Sequence, residues 1–417
     1  MTSLTFTSLG GCREVGRNAF LIESGDSNFL LDYGFEIQNS LVPITIPEKI
    51  NGFFLSHAHI DHSGLIPVLY KSGYNGKTFL TEATSSLAEM LLKDSIKVQE
   101  RRGEQPRFLT PHIRKFIKNG FIAKYNQKIR LHNGIAEFYD AGHIPGSCQT
   151  LLDTNGKRVL YTGDIKFEET EMLHGADTRI KNVDVLISEN TYSYKDHPKR
   201  REVADKLKEI IQETVYNNGV AVVASFAVGR AQELLLLLYN LGFDVYMDGM
   251  SVEATKRILL NPSSVKNPKQ LKKAFGRVRK PRSSQERSRI IKKPCVIITT
   301  AGMLQGGPVE HYIKKLHNRP ECSLTLTGYQ AVNTVGRTLL DTGRYVTEGI
   351  NEKLKMNVNF MDFSGHCGRG NLIKYYEKLN PKKILLVHGE HSEKFAQELK
   401  GKGFDTIAPK NGEKISL

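Results

Sequence analysis

Three imidazoles and a carboxylate, His57, His59, His62 and Asp61, crowd into the stretch Ser56-His57-Ala58-His59-Ile60-Asp61-His62. Neutral imidazole nitrogen and carboxylate oxygen are the donors that a borderline-soft divalent metal takes up. Grouped this closely, they are costly to bury without an ion to coordinate. The stretch follows the apolar run Gly52-Phe53-Phe54-Leu55 and precedes Ser63-Gly64-Leu65-Ile66-Pro67. That context predicts a metal site on a loop leaving a buried strand.

More residues of the same type stand at predicted strand ends downstream. Ala136 to Tyr139 runs into Asp140-Ala141-Gly142-His143, and Arg158 to Tyr161 runs into Thr162-Gly163-Asp164. Glycine lets the backbone turn sharply, so the next side chain can point back over the sheet edge. Val183 to Ser188 ends in Glu189, Val358 to Phe363 runs into Ser364-Gly365-His366, and Lys383 to Val387 runs into His388. Carboxyl ends of strands are where open α/β sheets carry function. One such His or Asp is ordinarily structural, but the ordered set points to ligands.

His57, His59 and His143 form a three-nitrogen set, and Asp61, His62 and His388 could form a second. Asp164 is the natural bridge, since one carboxylate can span two ions. Two zinc ions about 3.5–4 Å apart lower the pKa of a bridging water toward 7 and stabilise in-line displacement at phosphorus. Asp61 therefore counts both as a ligand and among the catalytic residues. Asp32, in Asp32-Tyr33-Gly34, is either a turn residue or an orienting partner behind the histidine loop. A leaving alkoxide needs a proton, and an imidazole held by a carboxylate is a suitable acid. His366 is assigned as that donor and Glu189 as its orienting partner. Spacing does not give this pairing, because the two lie far apart in the chain. His112, His132, His174, His197, His311, His317 and His391 lack comparable context and receive no role.

The elements that must position these residues fall into two styles. The first 60 residues read as short strands with tight turns, and the region after Glu189 alternates strands with helices, as a parallel α/β unit does. At 417 residues the chain calls for two or three domains. The boundaries are set at 1–190, 191–358 and 359–417, with the last segment returning to the first style. Hydrophobic content of 39% and charged content of 25% are globular values. The net charge of +15 predicts attraction to polyanions, nucleic acid ahead of membrane. Between Lys266 and Lys293 stand twelve Lys or Arg against one acid, Glu286, which concentrates the excess. That run is either a solvated surface or a phosphate-binding rim for RNA. No apolar run is long enough to span a bilayer, and the start shows no signal peptide. The five scattered cysteines favour free thiols in the cytoplasm.

The whole pattern resembles the metallo-β-lactamase superfamily and, within it, the β-CASP nucleases. Asp32 resembles the first motif, His57 to His62 the second, His143 the third and Asp164 the fourth; Glu189, His366 and His388 resemble the three further β-CASP motifs. The resemblance implies an αββα sandwich made of both chain ends, an inserted parallel α/β β-CASP domain, two zinc ions at the domain cleft, and single-stranded RNA threading that cleft. It also implies hydrolysis to a 5′-phosphate and a 3′-hydroxyl, endonucleolytic first, with 5′-to-3′ exonuclease action as a second mode. Gly16-Arg17-Asn18, Phe226 to Glu233, Ala301-Gly302-Met303-Leu304 and Gly328-Tyr329-Gln330-Ala331 are more similar to the cleavage and polyadenylation specificity factor group than to RNase J. Relative to one branch of that group, the chain begins at the catalytic domain without KH domains. Homodimers occur among such proteins. Two other readings compete: a small-molecule metallohydrolase, which gives no use for the inserted domain or the basic run, and an RNA-binding subunit with a vestigial site, against which the intact ligand set argues.

Overall fold

The computed structural model describes residues 4–347 and 349–417. The chain divides into two compact units. The first joins the chain through Glu168 with Gly175–Asp196 and His366–Leu417, and the second joins Glu169–His174 with His197–Gly365.

The first unit holds two seven-stranded sheets. One runs in the order Lys414–Ser416, Leu4–Gly10, Ala19–Ser24, Ser27–Leu31, Gly52–Phe54, Thr78–Leu80, Gly120–Ile122. The other runs Thr406–Ile407, Lys383–Val387, Val185–Glu189, Lys157–Tyr161, Cys148–Thr154, Gly134–Asp140, Lys128–Leu131. Lys414–Ser416 pairs antiparallel with Leu4–Gly10, Phe6 opposite Ile415, so both chain ends share one sheet. Side chains alternate across each strand. Phe6, Phe20, Phe29, Phe54 and Phe79 of one sheet therefore meet Phe138, Leu152, Tyr161, Ile187 and Leu385 of the other in a common core. On the far side of the second sheet, Leu160, Leu186, Ile384 and Leu386 pack against Leu372, Tyr376, Phe395 and Leu399 of helices Arg369–Leu379 and Ser392–Gly401. Leu21, Leu30, Phe53 and Leu80 of the first sheet have the opposite parity and are buried too, the face left for helices Ile66–Lys71, Glu82–Arg101 and Thr110–Asn119. The layers follow the order helix, sheet, sheet, helix.

The second unit is built on a five-stranded sheet in the order Val245–Asp248, Cys295–Thr299, Val220–Ala224, Ser323–Leu326, Asn357–Phe360, parallel throughout. Its β-branched strands are buried along their length, as parallel strands flanked by helices must be. Two helices, Pro268–Arg277 and Ser284–Ile290, carry half of the basic residues of the run. Between them, around Pro281, the chain is irregular.

Two sequence expectations need correction here. The strand expected over Val358 to Phe363 is Asn357–Phe360, and it extends the second unit's sheet beside Ser323–Leu326 instead of returning to the first. The second unit therefore ends at Gly365, not at 358. Likewise the first unit continues past 190 to Asp196, because Asn190 and Thr191 are tied to strand Lys383–Val387 and to His388: Asn190 Nδ2 donates to Val387 O at 2.7 Å, and Thr191 Oγ1 donates to His388 O at 3.1 Å. An edge strand carries the same apolar pattern whichever sheet it joins, so its text could not reveal its sheet. No helix among the described residues is long and apolar enough to cross a membrane. All five cysteines are free and buried.

Candidate metal centre

Every residue singled out as a ligand or catalytic group lies in the first unit. Asp32 follows strand Ser27–Leu31, and the histidine loop follows its parallel neighbour Gly52–Phe54. Asp164 follows Lys157–Tyr161, Glu189 closes Val185–Glu189, and His388 follows Lys383–Val387. These last three strands are parallel neighbours, so their carboxyl ends open on one edge. Before His143 and Asp164 the chain turns through glycine. Gly142 sits at φ 68° where a Cβ would meet Lys166 O at 2.4 Å, and Gly163 sits at φ 53° where a Cβ would meet Ser56 Cβ at 2.7 Å. Asp32 and His388 hold left-handed backbone without glycine, at φ 56° and 51°. Such strain in a side-chain-bearing residue persists where the surroundings over-determine it.

Four groups converge on one point. His57 Nε2 lies 3.1 Å from His59 Nδ1, His143 Nε2 lies 3.2 Å from the same atom, and Asp164 Oδ2 lies 3.4 Å from His57 Nε2 and 3.5 Å from His143 Nε2. Burial, then the neighbouring His62, holds the His57 pKa well below its usual range. Burial likewise brings His59 down to about 4. Two neutral imidazoles therefore aim nitrogen at a third imidazole nitrogen and a carboxylate oxygen. Donors on a tetrahedral zinc at about 2.0–2.1 Å stand roughly 3.3 Å apart, which these separations match.

A second group adjoins the first. Asp61, His62 and His388 place donor atoms within 4.8 Å of one another, as do Asp164, His366 and His388. His388 Nε2 lies 3.2 Å from Asp61 Oδ2. The other oxygen of Asp164, Oδ1, faces this side, 3.3 Å from His62 Nε2 and 3.6 Å from His388 Nδ1. Asp164 is 2% exposed, yet no hydrogen bond reaches Oδ1. A buried carboxylate oxygen left without a donor fits a cation. Burial pushes the Asp164 pKa up, but His388, His62 and His366 outweigh it and hold the carboxyl well below its usual range. Asp61 behaves alike: burial is outweighed by His62 and His388.

Behind these donors lies an anchoring layer. Asp32 accepts Ser56 N and Ser56 Oγ at 2.7 Å each, Tyr161 OH at 2.7 Å, and His62 Nδ1 at 2.7 Å. With its hydroxyl proton spent on Asp32, Ser56 accepts from His57 Nδ1 at 3.0 Å. Both imidazoles are thereby fixed with Nε2 inward, the usual support for ligating histidines. Thr191 gives its hydroxyl proton to His388 O and accepts from His388 Nδ1 at 2.9 Å. Asn18 Nδ2 donates to Asp61 O at 3.1 Å and lies 3.0 Å from His62 Nε2. Ser56, Tyr161, Thr191 and Asn18 were not identified from sequence. Ser56 adjoins the cluster and Tyr161 ends a strand before Gly163, but an uncharged hydroxyl at a strand end carries no metal signature.

Glu189 and His366 meet beside the cluster, Nδ1 to Oε1 at 2.9 Å, with His366 Nε2 3.9 Å from Asp164 Oδ2. Burial opposes charge on His366, but Glu189 and then Asp164 outweigh it and bring its pKa up to about 9. Of the remaining histidines, His197 lies in the second unit and pairs with Asp362 at 3.0 Å.

The profile of the Beta-Casp domain matches residues 231–339, that of the Zn-dependent metallo-hydrolase RNA specificity domain matches 351–409, and that of the anti-Pycsar protein Apyc1 matches 7–218. The chain is 36% identical to the probable RNase MJ4 of Methanocaldococcus jannaschii, over 98% of this chain and 99% of that one. It is 34% identical to the RNase aCSPSF2 of Saccharolobus solfataricus, over 98% and 84%, and 32% identical to the transcription termination factor FttA of Methanosarcina mazei, over 92% and 66%. A crystal structure of a protein of unknown function from Enterococcus faecalis shares the fold at 16% identity, with a TM-score of 0.65 and full coverage of both chains. With a match to the RNA-specificity domain at one end, a match to the Beta-Casp domain before it and ribonuclease relatives matched over 99% and 84% of their length, the chain belongs to the metallo-β-lactamase-fold β-CASP ribonuclease family.

Proposed function

We propose that this protein is a two-zinc ribonuclease that hydrolyses phosphodiester bonds of single-stranded RNA, endonucleolytically first, with 5′-to-3′ exonuclease action as a second mode. The observation that carries the reading is the division of Asp164: one oxygen faces His57 and His143, the other faces His62 and His388. His57, His59 and His143 would hold one ion, Asp61, His62 and His388 the other, and Asp164 both. Bound there, the ion pair supplies a nucleophilic hydroxide near neutral pH and neutralises charge on the phosphate in flight.

The chain's own residues do the remaining work. Asp32 and Ser56 keep His57 and His62 in a single orientation. Glu189 holds the Nδ1 proton of His366 and favours the imidazolium. His366 can then give the proton on Nε2 to the leaving 3′ oxygen. The relatives' names as ribonucleases and the RNA-specificity domain support RNA as substrate. So does the basic run, though the structure spends part of it internally: Lys266 pairs with Glu169 at 2.7 Å, and Arg287 grips buried Asp248 at 2.7 and 2.9 Å. Lys269, Lys272 and Lys273 stand exposed on helix Pro268–Arg277. The reading places the protein in the cytoplasm, in keeping with its five free thiols.

The test incubates purified protein with 5′-labelled and internally labelled RNA, with and without chelator. Chelator-sensitive cleavage that leaves 5′-phosphate ends is expected, with two zinc ions per chain by metal analysis. Absence of cleavage on any single-stranded RNA overturns the reading, and one ion per chain removes the bridged site.

A further inference from the structure

Aromatic rings lead from the metal cluster to the surface of the first unit. The His366 ring lies 5.8 Å from His388 and 4.7 Å from His143. On its other side Tyr192 lies at 6.1 Å, Tyr194 follows at 5.9 Å from Tyr192, and His391 at 4.7 Å from Tyr194. His143, His388 and Tyr192 are buried and His366 is half-buried, but Tyr194 is 51% exposed and His391 is exposed as well. Lys195 Nζ stands 5.0 Å over the Tyr192 ring.

The loop that carries Tyr194 is held at both ends. It starts directly after Glu189, with Thr191 bonded to His388, and Asn190 Nδ2 reaches Val387 O and Ser392 Oγ at 2.7 and 3.0 Å. Ser193 N and Lys195 N close turns onto Asn190 O and Tyr192 O. Beyond the tip, Arg369 N donates to Lys195 O at 3.0 Å, and Gly370 N to Asp196 Oδ1 at 2.7 Å. A large aromatic side chain, with only two torsions to fix, is thus presented from a pinned loop two ring contacts from the proton donor. Surface tyrosine needs no explanation when isolated. Here it is rigidly tied to the catalytic strand ends, and bases of single strands stack on such rings without regard to sequence.

We infer that Tyr194, flanked by His391, is a stacking platform for one unpaired nucleobase near the scissile phosphate. This rests on the ribonuclease reading and adds that the enzyme selects substrate in which that base is free to splay out.

The test measures kcat and KM of the zinc-loaded full chain and of Tyr194→Ala, Tyr194→Leu and Tyr194→Phe. The substrates are a single-stranded RNA and copies with an abasic unit walked past the cut. The Ala and Leu variants should raise KM about tenfold with kcat changed much less, whereas Phe should restore the wild-type value. Leu keeps bulk without a π face, so it separates stacking from folding. At one position the abasic unit should weaken wild type by a similar factor and add nothing in Tyr194→Ala. A wild-type enzyme that cleaves while Tyr194→Ala and Tyr194→Leu keep its KM overturns the platform alone. A wild-type enzyme that cleaves no RNA overturns the ribonuclease reading, and the platform with it.

Discussion

Nδ1 of His366 stands 2.9 Å from Oε1 of Glu189 although 177 residues separate them. The carboxylate is itself fixed, because Oε1 accepts Ile165 N at 2.9 Å and Oε2 accepts Thr191 N at 3.1 Å. Nε2 of His366 is left to face the cluster. Replacing His366 by Ala is expected to slow RNA cleavage by about 10²–10⁴-fold, with zinc content unchanged by atomic emission. Because His366 also shares a donor group with Asp164 and His388, zinc lost from the variant would make it a ligand instead.

The same contact sets a pH dependence. Glu189 raises the His366 pKa against the opposing effect of burial, so Glu189→Gln lowers it. A general acid works while protonated, and activity falls as pH rises through its pKa. The alkaline limb of kcat/KM should therefore move to lower pH in Glu189→Gln. An alkaline limb that stays in place belongs to another group.

Replacing Asp61 tests whether RNA binding separates from chemistry. Its side chain reaches His388 Nε2 at 3.2 Å, in the donor group it shares with His62 and His388. Asp61→Ala should abolish cleavage, reduce zinc from about two to about one per chain, and leave RNA affinity largely intact in a filter-binding assay. Normal cutting by this variant would remove the two-metal assignment.

Legibility differed by residue type. Imidazoles and carboxylates at strand ends could be read from the chain because few other roles gather them in one order. Their supports could not: Asp32 gave a hint, whereas Ser56, Tyr161 and Thr191 act through hydroxyl protons whose direction depends on neighbours far off in sequence. The layered fold followed from strand style and family resemblance. The edge strand Asn357–Phe360 misled because its alternation fits either sheet, and only pairing with Ser323–Leu326 decides. The basic run left open a solvated surface or a phosphate-binding rim, and tertiary pairing divides it into structural and exposed charges.

That division gives the last prediction. Leu271 and Ala274 bury one face of helix Pro268–Arg277, while Lys269, Lys272 and Lys273 occupy positions i, i+3 and i+4 on the exposed face. Changing these three to Gln should cost little stability and lower the slope of log affinity against log salt by about 2, at about 0.7 per phosphate contact on a single strand. Arg287→Gln should behave differently. Asp248 would lose a bidentate partner and keep only the Tyr312 hydroxyl at 2.7 Å and its following backbone N–H. A buried carboxylate so stripped destabilises the fold, so the melting temperature should fall. If the triple lysine variant leaves the salt slope unchanged, the exposed helix face carries no RNA phosphate.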